Sequence, residues 1–404
     1  MTFEFQIRAL LSISIWTVLS THPAWAEDHS LQLKAETSLT FDNNLFRLPA
    51  SANPTLILGK PSGAEQIGIN TLSLNFSTSL SLQKINLTVS IADSLYQNFS
   101  YLNYTSYNYN AELKWSLTPK LHGILSSNRK ETANSFSDYL GLNQSNLRTE
   151  MTTRMEAIYE VDGPWRVLSG VSQFSQINQQ ALVAGGDHTT QTVEAGLGYV
   201  FASGSNISFR QKAVSGHFLN RVLPSSGAYD TDFSKAISDL RAQWVMPDNS
   251  SADFYLSAIT QTHPNFPQRN FSGLNSGASI NWLLTGKSSV KLGQSRDVSA
   301  YAVFLSNYTQ TDRLYFSPIW QLSPKSLVIL KNEWAHIAYQ GAPNGIGISN
   351  QRNDETRDTS LSFYWQPDQR LTFSAALQNA SRASNQTGLD YNSNQISVSA
   401  QYSY

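Results

Sequence analysis

The sequence predicts an all-β fold, a transmembrane up-and-down antiparallel β-barrel of about eighteen strands, with sixteen to twenty as the range. Three observations predict it: an unusual composition, apolar side chains that alternate along the chain, and an aromatic residue that recurs before short turns. Charged residues make up 14% of the 404 residues and aromatic residues 11%. Soluble domains carry roughly 25% charged residues, so this composition better fits a wall with one face in lipid and one in water.

The alternation is clearest at the C-terminus, where Ile396, Val398 and Ala400 alternate with serine and glutamine. Segment 147–161 shows the same period, with apolar residues on one parity and charged residues on the other. A period of two predicts β-strands. A soluble sandwich would turn the charged face outward, whereas an outer-membrane barrel turns it into the lumen. The period alone does not separate these two folds.

The repeat of aromatic residues separates them. The aromatic residues recur every 38 to 45 residues. A propeller blade of this length contains four short strands, whereas each repeat here contains two strands that are long enough to cross a membrane. The turns after them are short and contain Pro, Gly, Asp or Asn, while the other connections are longer and polar, such as 132–146, 218–232 and 340–354. Tyr and Trp favour membrane interfaces, so we predict a periplasmic girdle of Trp115, Tyr159, Tyr199, Trp244, Trp282, Trp320 and Trp365.

The N-terminus has the form of a secretory signal. Arg8 precedes an apolar stretch over 9–19, and Ala24 and Ala26 stand at the −3 and −1 positions of a cleavage site. We therefore predict a signal peptide over 1–26 and a single outer-membrane barrel domain over 27–404. The alternative is an uncleaved anchor, for which the apolar stretch is short. The chain has no cysteine, which excludes disulfides and thiolate ligands.

The charged parity of the strands supplies the candidate functional residues. Acidic and basic residues are nearly equal in number at these positions. Many of them are two residues apart, so their side chains point to the same face of the sheet. One interpretation is a lumen braced by salt bridges, and the other is a selectivity surface for a polar or charged solute or polymer. The candidate lumen or polymer-contact residues are Arg47, Arg148, Glu150, Arg154, Glu156, Arg210, Lys212, Arg241, Lys331 and Glu333.

Tyrosines cluster around the second outer loop, at Tyr101, Tyr104, Tyr107 and Tyr109. An extracellular aromatic girdle explains them. Stacking against sugar rings is the alternative.

The motifs of enzymes are missing from the sequence. The seven histidines show no metal-ligand spacing, no G-x-S-x-G element is present, and Asp187-His188 falls in a predicted outer loop. No basic run points to nucleic acid. We expect no catalytic residue, no cofactor and no metal site.

The segment from Thr40 to Pro49, TFDNNLFRLP, resembles the opening motif of the EpsL family. Leu102–Asn108, Ser135–Tyr139 and Pro164–Arg166 are also similar to that family. Its members are outer-membrane β-barrel proteins encoded with exopolysaccharide biosynthesis genes, within a wider group of β-barrel porins. From the residues themselves, Asp42-Asn43-Asn44 ends a strand, and we expect the following segment to fold over or into the mouth, with Arg47 paired to a lumen carboxylate.

The resemblance implies a role in exopolysaccharide biosynthesis or export, as a passive channel or an anchor for the polymer. The alternative is a general diffusion porin for small polar solutes, in which segment 42–66 would be the inward-folded loop. The expected partners are outer-membrane lipid and the barrel-assembly machinery, together with exopolysaccharide and other export proteins if the first role holds.

Overall fold

The computed structural model describes residues 29–133, 135–137, 144–181, 183–223, 230–303, 306–341 and 351–404. The predicted signal peptide, residues 1–26, lies outside the described residues. Within them, no helix is both long and apolar enough to cross a membrane.

The described residues form one antiparallel sheet of eighteen strands, each paired with the next in the chain. The sheet closes because β1 pairs with β18 as well as with β2, so that Asp42 lies opposite both Gln395 and Glu65. The predicted strand number is therefore confirmed. The strands are β1 His29–Asp42, β2 Glu65–Leu80, β3 Gln83–Tyr96, β4 Tyr104–Thr118, β5 Leu121–Ala133, β6 Leu147–Glu160, β7 Trp165–Asn178, β8 His188–Val200, β9 Asn206–Phe218, β10 Asp232–Val245, β11 Ser251–Thr262, β12 Phe271–Thr285, β13 Ser288–Val303, β14 Ser306–Ser323, β15 Ser326–Gln340, β16 Asn353–Trp365, β17 Leu371–Ser384 and β18 Tyr391–Ser403.

The two ends of the barrel differ in their connections, as predicted. The turns at the end bearing the aromatic repeat are two to five residues long, as at 81–82 and 246–250, whereas the other end carries connections such as 43–64 and 219–231. One connection departs from the expectation: β13 and β14 extend so far that only residues 304–305 separate them. Short helices occur in the long connections, namely α1 Pro54–Leu58 and the 3-10 turns Ser100–Leu102, Ala184–Gly186 and Pro267–Arg269.

In each strand, the apolar side chains that alternate with polar ones face the outside of the barrel. Five predicted girdle residues have exposed side chains on this wall: Tyr159, Trp244, Trp282, Trp320 and Trp365. Tyr199 is half-buried because it packs edge-on against Trp165 with 5.0 Å between ring centroids, and Phe201 continues the aromatic row towards Trp244. Trp165 and Phe201 are therefore girdle residues that the repeat did not pick out.

Trp115 lies flat against the neighbouring strand, over Gly123, its register partner on β5. A Cβ atom at position 123 would stand 2.6 Å from the indole Cζ2 and 2.0 Å from the Glu156 carbonyl oxygen. Such distances are far below van der Waals contact, so only glycine allows the indole to approach the sheet this closely.

Candidate functional site in the barrel lumen

The mouth of the barrel contains a folded segment, residues 43–64, between β1 and β2. Its Leu45 and Phe46 are buried in a cluster with Phe99 and Leu102 from the β3–β4 connection. The cluster also packs against Ile67, which pairs with Thr40 and Tyr96 on the lumen side of β2. The segment therefore packs against the lumen side of the wall at the mouth, in agreement with the expectation that it folds over or into the mouth.

Two buried carboxylates hold the mouth segment, Asp42 at its start and Glu65 at its end. Arg47 Nη1 lies 2.8 Å from Asp42 Oδ2, so the expected pairing of Arg47 with a lumen-side carboxylate is confirmed. Asp42 also accepts hydrogen bonds from Ser393 and Gln395, which join the segment to β18. Buried charges need this kind of full hydrogen bonding, so the pair fixes where the segment leaves the wall.

Glu65 is fully buried and accepts hydrogen bonds from the backbone N–H groups of Asn98 and Phe99 at 2.8 and 2.7 Å. It thereby ties the β3–β4 connection to the mouth segment. The β5–β6 connection joins them: Phe136 packs on Phe46 with ring centroids 4.6 Å apart, and the Ser137 carbonyl accepts a hydrogen bond from Arg382 of β17. Three connections thus pack together on one side of the mouth.

A chain of ion pairs crosses the lumen face of β6 to β10. We call it the basic arc, and its members are Arg154, Glu156, Glu194, Arg210, Lys212, Asp239 and Arg241. Glu194 lies at its centre, with Oε1 2.7 Å from Arg154 Nη2 and 2.6 Å from Arg210 Nη1. Arg210 also reaches Glu156 across β7 and β8 at 2.9 Å. Side chains three strands apart, roughly 14 Å at the spacing of strands, meet most readily on the concave inner wall, which places this parity in the lumen.

The basic arc ends at Asp239, which is nearly fully buried. Its carboxylate lies 3.1 Å from Lys212 Nζ and 2.9 Å from Arg241 Nε, and it accepts a hydrogen bond from the Ser257 hydroxyl at 2.5 Å. Arg241 itself is 63% exposed to the lumen. Four cationic side chains stand against three carboxylates, so the formal charge of the arc is +1.

Glycines make room for these flat-lying side chains. A Cβ at position 196 would stand 2.8 Å from Arg210 Cγ, and one at position 170 would stand 3.1 Å from Glu194 Cγ. The registers agree, since Gly196 pairs with Arg210 and Gly170 with Glu194. Gly170 and Gly196 therefore belong to the site although they carry no charge.

A second group of charges lies on the lumen face of β13 to β16. This acidic arc consists of Asp297, Arg313, Glu333 and Asp358. Arg313 lies between Asp297 (2.9 Å) and Glu333 (3.5 Å), and Tyr255 of β11 donates to Asp297 at 2.9 Å. Asp358 pairs in register with Glu333 and accepts a hydrogen bond from Gln378. The formal charge is −2, or −1 if the neighbouring exposed Lys331 is counted.

The structure thus brings together five of the ten predicted lumen residues in the basic arc: Arg154, Glu156, Arg210, Lys212 and Arg241. Arg148 and Glu150 form a separate pair on β6, 2.9 Å apart, and Lys331 and Glu333 lie with the acidic arc. Arg47 lies apart from all of these, in the mouth.

Sequence reasoning did not select Glu194, Asp297, Arg313 or Asp358 as site residues. Their strand parity was the available signal, since each falls on the lumen face of its strand. Among the described residues, no group of three His, Asp or Glu side chains is arranged to hold a metal ion.

No protein-family model matches the chain, and no curated protein matches it in sequence. Solved structures are similar in fold. Pseudomonas aeruginosa OpdO shares 13% identity with a TM-score of 0.53, over 94% of this chain and 98% of its own. OpdK with vanillate shares 10% identity with a TM-score of 0.52, over 93% and 99%. OccK2 in complex with glucuronate shares 10% identity with a TM-score of 0.53, over 94% and 99%. These proteins are outer-membrane porins, and the chain shares their barrel fold. Its own closed wall of eighteen strands, with apolar side chains facing outward, is that of a β-barrel of the outer membrane.

Proposed function

We propose that the barrel is a passive diffusion channel for small polar solutes, and that its basic arc favours solutes that carry a carboxylate. The observation that supports the proposal most directly is the excess of one positive charge in the arc, together with the exposed guanidinium of Arg241. A guanidinium binds a carboxylate through two parallel hydrogen bonds. Arg241 has only one carboxylate partner in the arc, Asp239, which leaves donors free for a passing solute.

The two arcs also set up a field across the lumen. Strands β11 and β12 separate them on one side, and the longer run from β17 through β18 to β5 separates them on the other. Opposed charges on the wall of a narrow aqueous path orient dipolar solutes and lower the barrier for charged ones. A solute would pass the apolar cluster of the mouth first and the arcs afterwards.

The structural neighbours supply a reason for choosing test solutes. Two of them were solved with vanillate and with glucuronate, both carboxylate anions. At 10% identity the likeness concerns the fold, so the preference of this chain rests on its own arc. Diffusion needs no catalytic group, and we propose that the chain is not an enzyme.

Solute flux into proteoliposomes tests the proposal. Swelling rates in glucuronate and in glucose, a neutral sugar of similar size, would be compared for the wild type, Arg241→Gln and Lys331→Gln. The quantity compared is the ratio of the swelling rate in glucuronate to the swelling rate in glucose. We expect this ratio to be several-fold lower for Arg241→Gln than for the wild type. Lys331→Gln removes another exposed lumen cation, which lies outside the basic arc, so it should change the ratio much less. An unchanged ratio in Arg241→Gln would contradict the role of the arc.

The exopolysaccharide role is a second proposal, which rests only on the sequence resemblance of segments 40–49, 102–108, 135–139 and 164–166. The fold comparison favours the porin interpretation over it. The first of these segments builds the mouth, where Arg47 and Asp42 anchor it, so a polymer leaving the barrel would contact it. Deleting the gene and weighing extracellular polysaccharide tests this role, and an unchanged yield would reject it without affecting the channel proposal.

A further inference from the structure

Charged side chains also occur on the outer wall, where lipid would lie. Arg296, Asp312, His336 and Glu355 form one register row across β13, β14, β15 and β16. Arg357 is the next outward residue on β16. We call these five residues the outer-wall cluster. They share strand parity with exposed apolar side chains such as Leu314, Trp320 and Trp334, which identifies their face as the outer one.

The cluster borders a hollow in the outer wall of about 780 Å³. Leu314 and Trp334 lie one outward position closer to the aromatic girdle than Asp312 and His336. Phe254 and Leu274 line the opposite side, and the small side chains of Ser276 and Ala278 lie between. A barrel wall is convex towards lipid, so an indentation with apolar sides and a charged rim is a local departure from its shape.

The height of the cluster matches the outer membrane interface. Asp312 lies eight residues along β14 from girdle residue Trp320, and Arg357 lies eight residues along β16 from Trp365. With a rise of ~3.3 Å per residue and a tilt of about 40°, eight residues span roughly 20 Å along the membrane normal. The apolar band of such barrels is about 25 Å tall. The cluster therefore lies near the outer edge of this band, from which long charged side chains reach the lipid headgroups. Outward charges near the interface cost about 0–1 kcal/mol.

The charges of the cluster are only partly paired. Arg296 binds Asp312 through Nε and Nη2 at 2.5 and 3.1 Å, with its side chain half exposed. The side chains of Arg357, His336 and Glu355 are exposed, and within the described residues they form no ion pair or side-chain hydrogen bond. The rim therefore presents two guanidiniums and an imidazole to an external group. Its carboxylates, Asp312 and Glu355, are ligands for a divalent cation that bridges them to the same group.

We propose that the hollow binds one molecule of a phosphorylated, acylated glycolipid of the outer leaflet. Its phosphate contacts Arg296 and Arg357 at the rim, since guanidiniums bind phosphate bidentately. An acyl chain lies in the hollow against Leu314, Trp334 and Phe254, in the direction of the membrane centre. The match between two guanidiniums at headgroup level and an apolar hollow below them selects an amphiphile of this kind.

Native mass spectrometry of the full barrel in detergent tests the proposal, with diphosphorylated lipid A as the probe. The wild type should bind one equivalent. The double variant Arg296→Gln/Arg357→Gln should bind at least ten-fold more weakly, and lipid A stripped of phosphate should bind the wild type equally weakly. The control is Arg129→Gln, which removes an outward arginine that is already paired with Glu131 at 2.8 Å on β5, and its affinity should equal that of the wild type.

Two results would overturn the proposal. The first is equal affinity of the wild type and the double variant for diphosphorylated lipid A, with both barrels shown to be folded by their heat-modifiable migration on gels. The second is disulfide cross-linking of Trp334→Cys barrels to one another in whole membranes, because a second copy of the chain would then cover the hollow. Neither result bears on the channel proposal, which concerns the opposite face of the wall.

Discussion

Replacing Glu194 with glutamine tests the ionic organisation of the lumen. The change keeps the shape of the side chain and removes the charge that lies between Arg154 and Arg210, at 2.7 and 2.6 Å. Hydrogen bonds to charged groups each contribute roughly 1.5–3 kcal/mol, and the glutamine oxygen can still accept one. We therefore expect the free energy of unfolding to fall by about 2 kcal/mol. The formal charge of the basic arc would rise from +1 to +2.

The assay is urea unfolding of the purified barrel in detergent micelles, followed by tryptophan fluorescence. Glu333→Gln is the matched control, because this carboxylate is half exposed and meets Arg313 only at 3.5 Å. Exposed pairs of this kind contribute little, so we expect a loss of at most about 0.5 kcal/mol. Equal losses in the two variants would refute the reasoning, because they would mean that the arc does not brace the wall.

Three further predictions follow from contacts outside the arcs. Gly123→Val should lower the free energy of unfolding by about 1–3 kcal/mol, because the valine side chain would collide with Trp115 and the Glu156 carbonyl. The same urea unfolding assay measures this change. An unchanged free energy of unfolding would show that the indole moves aside at no cost. Arg47→Ala should raise single-channel conductance and its noise, because Asp42 would lose its cation and the mouth segment an anchor; identical current traces would contradict that role. Asp230 gives a pH dependence: burial alone would raise its pKa, but hydrogen bonds from the Asn265 side chain and backbone outweigh it and lower the pKa below 3.8. A carboxylate with a depressed pKa stabilises the fold at pH values above its unfolded pKa, and this stabilisation is lost as the pH falls through the folded pKa. The protection factor of the Asn265 amide in hydrogen exchange should therefore fall when the pH is lowered through the depressed pKa of Asp230. A protection factor that stays constant during acidification would refute the contact.

Much of the fold follows from strand parity. Apolar and polar residues alternate strongly in β6 and β18, so their limits and faces can be predicted from the sequence alone. The same rule places Arg154, Arg210 and Lys212 in the lumen, where the structure has them on one wall. A period of two is a local property, and it needs no knowledge of which strands are neighbours.

The contacts between strands could not be predicted in this way. Glu194 stands among threonine and glycine at the lumen positions of β8, so its strand shows little charge pattern, and its partners lie on β6 and β9. The packing of Phe46 on Phe99 joins residues far apart in the chain through one edge-on contact of 4.7 Å. Such partners are determined by barrel closure and by register, which alternation alone does not specify.

The outer-wall cluster shows a further limit of the parity argument. Charged residues on a barrel strand are expected to face water in the lumen, yet Arg296 and Glu355 share the face of Trp320. Their distance along the strand from the girdle, rather than their parity, explains why charge is tolerated there. The position of a charged residue along the membrane normal must therefore be considered together with its strand parity before the residue is assigned to the lumen face.

Conductance across a planar bilayer tests the central claim most directly. If the barrel is an open passive channel whose basic arc acts on passing anions, the purified wild-type protein should insert with discrete, ohmic current steps. In a salt gradient, Arg241→Gln should shift the reversal potential towards cation preference, and Glu194→Gln should shift it towards anion preference. Insertion without current, or two variants whose reversal potentials equal that of the wild type, would contradict the account.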